Sequence, residues 1–205
     1  IITSVVGYGF FAANIGNLKN ADYNKGYLGL FGIFFLIFYS YLSNFFIPHN
    51  YINNLIILAL GLLSFFYFFD KKNKNEYILF YIFFLILFIG FIIFKSHDDF
   101  PYYHFPYTYY LTQSNLLVGI GNFNHGFRTP SSIFYLNSLF YLPIVKHYFF
   151  QMGAVMIMGF SSLILLEYIS KKIKNKNTDI IFFLSLISFI FINIFFYRIS
   201  EHGTD

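Results

Sequence analysis

Cysteine and tryptophan are both missing from this 205-residue sequence, and charge is scarce, at 11% of positions against about 25% in an ordinary soluble domain. Without cysteine there is no disulfide, no thiolate nucleophile and no Cys-ligated zinc or iron–sulfur centre, and the redox compartment leaves no mark. Only five prolines break the chain. What is present is apolar: 58% of residues are hydrophobic, with 33 Phe and 19 Tyr. That composition excludes disorder, a nucleic-acid reader and an ordinary soluble enzyme, and reads as a membrane protein. Lys outnumbers Arg 11 to 2 and Asn, Ile, Phe and Tyr are in excess. The bias looks like that of an AT-rich genome, so the net charge of +4 implies no nucleic-acid partner. Because Ile1 stands first and Asp205 falls in a polar stretch just after an apolar one, the sequence is expected to be a fragment of a longer protein.

Charge-poor apolar runs predict six spans, at about 1–16, 27–47, 51–69, 77–94, 148–167 and 180–197. Runs of ~18–22 residues reach ~27–33 Å as helix, which matches a hydrocarbon core. They do not alternate as barrel strands would, and inside a bilayer only a helix satisfies its own backbone. The expected fold class is therefore all-α: a polytopic transmembrane helical bundle, one domain over 1–205, with interfacial helices in a long extracytoplasmic loop at 95–147. Orientation follows from lysine. Lys19, Lys25, Lys71, Lys72, Lys74, Lys171, Lys172, Lys174 and Lys176 share one side, against Lys95, Arg128, Lys146 and Arg198 on the other. The positive-inside rule makes the lysine-rich side cytoplasmic. All six histidines then lie outside, with Asp98, Asp99, Glu201 and Asp205. Glu167 and Lys171 read as a plain i, i+4 pair.

The outer loop opens on Lys95-Ser96-His97-Asp98-Asp99-Phe100-Pro101. Adjacent carboxylates raise one another's pKa, which can make a general base or a cation site. Asp99 could equally cap the helix after Pro101. Tyr102 to Val118 reads as an aromatic interfacial helix closed by Gly119-Ile120-Gly121, its tyrosines serving either as anchors or as a platform for a sugar ring. His97, Asp98, Asp99 and His104 are candidate ligands for a divalent metal, although their spacing fits no tight signature. Thr129 is a plausible cap ahead of Pro130, and 131–145 reads as a re-entrant or interfacial helix.

The order of these features resembles the GT-C superfamily of membrane glycosyltransferases, in particular the protein mannosyltransferase and aminoarabinose transferase type. Asp98-Asp99 matches that family's acidic pair, and Arg128-Thr129-Pro130-Ser131 its basic-then-proline element, with Arg where Lys or His is usual and Ser131 in place of a second proline. Arg198-Ile199-Ser200-Glu201-His202-Gly203-Thr204-Asp205 resembles the arginine-plus-acid segment of the next outer loop. The resemblance spans 77–205 and implies a bacterial member of the inner (plasma) membrane.

It also implies a polyprenyl-phosphate-linked sugar as donor, a glycan, lipid or protein acceptor, and an extracytoplasmic active face. Asp98 and Asp99 would then be catalytic; Arg128, Arg198, Lys146 and His125 would bind the donor phosphate; Glu201 and Asp205 would form an acceptor or second acidic site. No nucleotide, and no cofactor beyond the optional metal, is called for. Rival readings are an O-antigen-type polymerase or ligase, a lipid or solute transporter, and a scaffold without catalysis.

Overall fold

The computed structural model describes all residues except 18–23, 70–73, 93–94, 97, 177, 195–200 and 203–205, with the backbone alone at 74–76, 90–92, 95–96 and 201–202. Among the described residues there are eight α-helices: α1 Ile2–Ile15, α2 Lys25–Asn44, α3 Tyr51–Phe68, α4 Lys74–Ile92, α5 Phe105–Gln113, α6 Ser132–Ser138, α7 Met152–Lys174 and α8 Ile180–Ile194. Three apolar helical stretches are long enough to cross a membrane: α2, α3 and the run His147–Lys174. Ile2–Ile15, Tyr77–Ile89 and Ile180–Ile194 are apolar but shorter. Side-chain caps begin three of the helices. Asn24 accepts from Gly26 N–H (2.7 Å), Asn50 from Asn53 N–H (3.0 Å) and Asp179 from Phe182 N–H (2.9 Å), each satisfying an orphan donor of the first turn.

Small residues set the packing. Helix α1 lies against α2 and α3, and a Cβ at Gly7 or Gly32 would overlap the carbonyl oxygen of Gly61 or Val5 respectively. Such contacts let helix backbones approach where side chains would hold them apart. The hydroxyls add to this. Ser4 donates to the Leu58 carbonyl (2.9 Å), Tyr8 to that of Ile57 (2.7 Å) and Ser64 to that of Gly7 (2.8 Å). Helix α7 packs on α2, α4 and α8; its Phe160 is fully buried, lies against Gly29 of α2 and tilts against Phe84 of α4 at 4.9 Å. By contrast α8 buries only Phe182. Its Ile180, Leu184 and Ile187 are all more than half exposed, an apolar face suited to lipid.

The two ends of the packed helices are chemically distinct. The α2–α3 link and the 95–147 loop share one end, because His49 N–H donates to the Leu111 carbonyl at 2.8 Å. At the opposite end Lys25 sits over the Tyr77 ring, 5.2 Å from its centroid. A two-residue parallel pairing, β1 Lys95–Ser96 with β2 Glu201–His202, ties the segments that follow α4 and α8. Sequence reasoning had no strand there.

The helical runs expected in the loop are shorter than the sequence implied. The aromatic helix stops at Gln113 rather than Val118: Ser114 turns extended, and the Leu111 carbonyl is taken by His49 N–H and by Asn44 Nδ2 (3.3 Å). Gly119, in the left-handed region at φ 83°, shapes a later turn and not the helix end. The stretch 131–145 is helical only over Ser132–Ser138, where Asn54 Nδ2 takes the Ser138 carbonyl at 2.9 Å. Ser131, not Thr129, holds the cap position there, without a side-chain capping bond. Helix α7 runs on past Glu167 to Lys174, supported by the Glu167–Lys171 pair (2.9 Å) and by lysines placed at its negative dipole end.

Candidate functional site

The acidic pair leads into an unusual helix start. Residues Phe100–His104 form a π-helical turn, in which Phe105 N–H reaches back to the Phe100 carbonyl, before α5 takes over. Pro106 then has no N–H to offer the Tyr102 carbonyl four residues earlier. Asn124 supplies the missing donor, its Nδ2 lying 3.0 Å from Tyr102 O, while its Oδ1 accepts from Gly126 N–H at 2.9 Å. Gly126 is pressed onto Tyr103, where any Cβ would meet Tyr103 Cβ at 2.5 Å. One side-chain amide thus fastens the turn that carries His125 and Arg128 to the segment that carries Asp98 and Asp99.

The carboxylates are set at the rim of this assembly. Asp98 is exposed and Asp99 half-buried. Asp99 occupies the position before the π turn, but its side chain makes no capping hydrogen bond, so the capping role weighed from sequence is not the one it fills. His125, Arg128 and Lys146 are exposed, and the Arg128 stem rests on Gly121, whose Cβ position is 3.2 Å from Arg128 Cγ. Lys146 has a positive φ of 46° and closes the 142–146 turn through its N–H to the Leu142 carbonyl (2.7 Å). His147 meets Phe105 edge-on, with ring centroids 5.2 Å apart.

Several candidates therefore converge on one end: the acidic-pair segment, the His125–Arg128 turn, Lys146, and Glu201 through the backbone pairing of β2 with Lys95. Of Glu201 only the backbone is described, and His97, Arg198 and Asp205 lie outside the described residues. The metal set is not gathered among the described residues, where no three His, Asp or Glu come together to hold an ion. His104 is buried between aromatic rings, 4.2 Å from Tyr103 and 4.8 Å from Phe134, whereas Asp98 faces outward.

Beneath the rim lies a polar interior that sequence reasoning missed. His49, which the sequence groups with the other outer histidines, is fully buried. Ser138 Oγ donates to the Tyr135 carbonyl (2.7 Å), so it accepts from His49 Nδ1–H at 2.6 Å. His49 Nε2 lies 2.9 Å from Ser43 Oγ, so both ring nitrogens have a hydroxyl partner. Burial pushes the His49 imidazole down to about 4. Asn54, also fully buried, aims its Nδ2 at the carbonyls of His49, Ser138 and Tyr141, all within 3.0 Å. A few residues away, His104, Thr108, Asn137 and Gln151 border a cavity of about 10 Å³, room for about one water. Neither amide atom of Gln151 has a hydrogen-bond partner among the described residues. The available signal was the placing of Asn, Gln and Ser inside apolar runs.

A family model described as Domain of unknown function (DUF8201) matches residues 1–205, and the chain belongs to that family. No curated protein and no solved structure matches it.

Proposed function

We propose that this DUF8201 chain is the membrane-embedded core of a GT-C-like glycosyltransferase, with all six apolar helices as spans and its active face extracytoplasmic in a bacterial inner membrane. The observation that carries the reading is the fastening of the Arg128 turn onto the acidic-pair segment by Asn124. It ties the segment of the proposed base to the turn of the proposed phosphate-binding cation, the two functions such a transfer needs. The donor is a polyprenyl-phosphate sugar. The acceptor hydroxyl oxygen attacks the anomeric carbon, its proton passes to a carboxylate, and the bond from that carbon to the phosphate oxygen breaks with its electron pair leaving on phosphate. Asp98, the more exposed of the pair, is the base. Arg128 presents a planar fork to two phosphate oxygens and stabilises the charge that develops on them.

Membranes containing the full-length protein, supplied with a defined polyprenyl-phosphate sugar, test the reading directly. Loss of transfer in Asp98→Asn with undiminished folded protein supports it. Full transfer in both Asp98→Asn and Asp99→Asn rejects the catalytic assignment.

A further inference from the structure

At the lysine end, away from the rim, α2, α7 and α8 leave a groove of about 520 Å³ between them, within the size range of ligand pockets, about 300–1,000 Å³. Its walls include Phe31, Leu165 and Ile181, and Glu167 and Lys171 stand at its polar end. We propose that this groove binds one anionic phospholipid, the acyl chain between α2 and α8 and the headgroup phosphate on the lysines of α7.

Three observations support that occupant. The groove opens beside the apolar face of α8, where Ile180 is 75% exposed, so a lipid chain reaches it without crossing water. Residues 167, 171 and 174 follow one helical stripe, which sets Lys174, exposed in the last turn of α7, one turn beyond Lys171 at the groove end. The local balance is also cationic. Lys171, Lys172, Lys174 and Lys176 outnumber Glu167 and Asp179, which pair with Lys171 and Lys172. Clustered lysines where an apolar helix leaves the membrane attract anionic lipid. The binding is independent of the transferase reading and requires only that α2, α7 and α8 meet lipid.

Native mass spectrometry of the full-length protein, titrated in detergent with dioleoylphosphatidylglycerol or dioleoylphosphatidylcholine, reads the site. Wild type is expected to retain phosphatidylglycerol in preference to phosphatidylcholine. Lys171→Gln with Lys174→Gln should weaken that retention roughly tenfold to thirtyfold. Glu167→Gln, which removes the counter-ion to Lys171, should strengthen it. Ser185→Trp, on the groove-lining side of α8, should displace the lipid with every lysine intact, and serves where the double variant fails to fold. Equal retention of the two lipids, unchanged retention in both the lysine and Trp variants, or no lipid at all because another part of the full chain fills the groove would each overturn the proposal.

Discussion

Two polar regions share the loop end of this protein and spend their hydrogen-bonding capacity in opposite ways. Around His49 and Asn54 the donors and acceptors are turned inward, onto Ser43, Ser138 and the carbonyls that end α5 and α6. At the rim Asp98, His125, Arg128 and Lys146 face outward, and the Arg128 turn is tied to the acidic-pair segment by the Asn124 amide and by the stacking of Phe127 on Tyr107. A buried polar group must be satisfied or it destabilises the fold, whereas an exposed one retains capacity for a ligand. The inward network therefore holds the loop on the helices, and the outward set is what remains for chemistry.

The largest test of this division is Asp98→Asn. On the proposed assignment of Asp98 as base, transfer should fall by about 10²–10⁴-fold, while the melting temperature of the detergent-solubilised protein stays near wild type because the side chain is exposed. A matching loss of stability would place Asp98 in the inward class.

Asn54→Leu probes the other side. It removes an amide whose two N–H groups are shared among the carbonyls of His49, Ser138 and Tyr141 and should destabilise the fold by about 2–4 kcal/mol, read as a lowered denaturation midpoint. Near-neutral stability would mean that the network is dispensable.

A comparable effect is expected from pH. The unfolded His49 takes up a proton near 6.5, but the folded one does so only near 4, so the unfolded chain holds more protons in between. Stability should then be constant above about pH 6.5, fall as pH drops toward 4, and level off below, losing about 3 kcal/mol in all. His49→Gln should flatten that window in thermal melts taken across the range. A slope unchanged by the substitution would assign it to other groups.

Arg128→Lys is the mildest. Charge is kept and the fork is lost, so transfer should fall about tenfold with weaker donor binding. Wild-type kinetics would make Arg128 a headgroup anchor.

Much of the helical layout was legible. The apolar runs near 27–47, 51–69 and 180–197 emerge as α2, α3 and α8 with ends moved by only a few residues where they are described, because a charge-poor run of that length has few other ways to satisfy its backbone. The loop was not, and for a specific reason. Its helices end where partners distant in sequence claim their carbonyls: Asn44 and His49 at Leu111, and Asn54 at Ser138 and Tyr141. Nothing local at positions 111–118 or 138–145 announces those partners. The Arg128 turn shows the same limit. Its sequence read as a helix start, while its role in the fold comes from Asn124, whose partner Tyr102 lies 22 positions earlier.

The π-helical turn at Phe100–His104 bears on how this loop tolerates insertions and deletions. Each residue of an α-helix advances the chain by about 100°, and the turn carries one more residue than a regular α-helical turn needs. Removing a single residue between 100 and 104 would restore an ordinary helix and swing the two aspartates about a quarter-turn around the α5 axis. Tyr107, stacked on Phe127, would stay in place. Length in that five-residue stretch is therefore under tighter constraint than side-chain identity, and related chains that keep the acidic pair should keep its count of residues to Pro106.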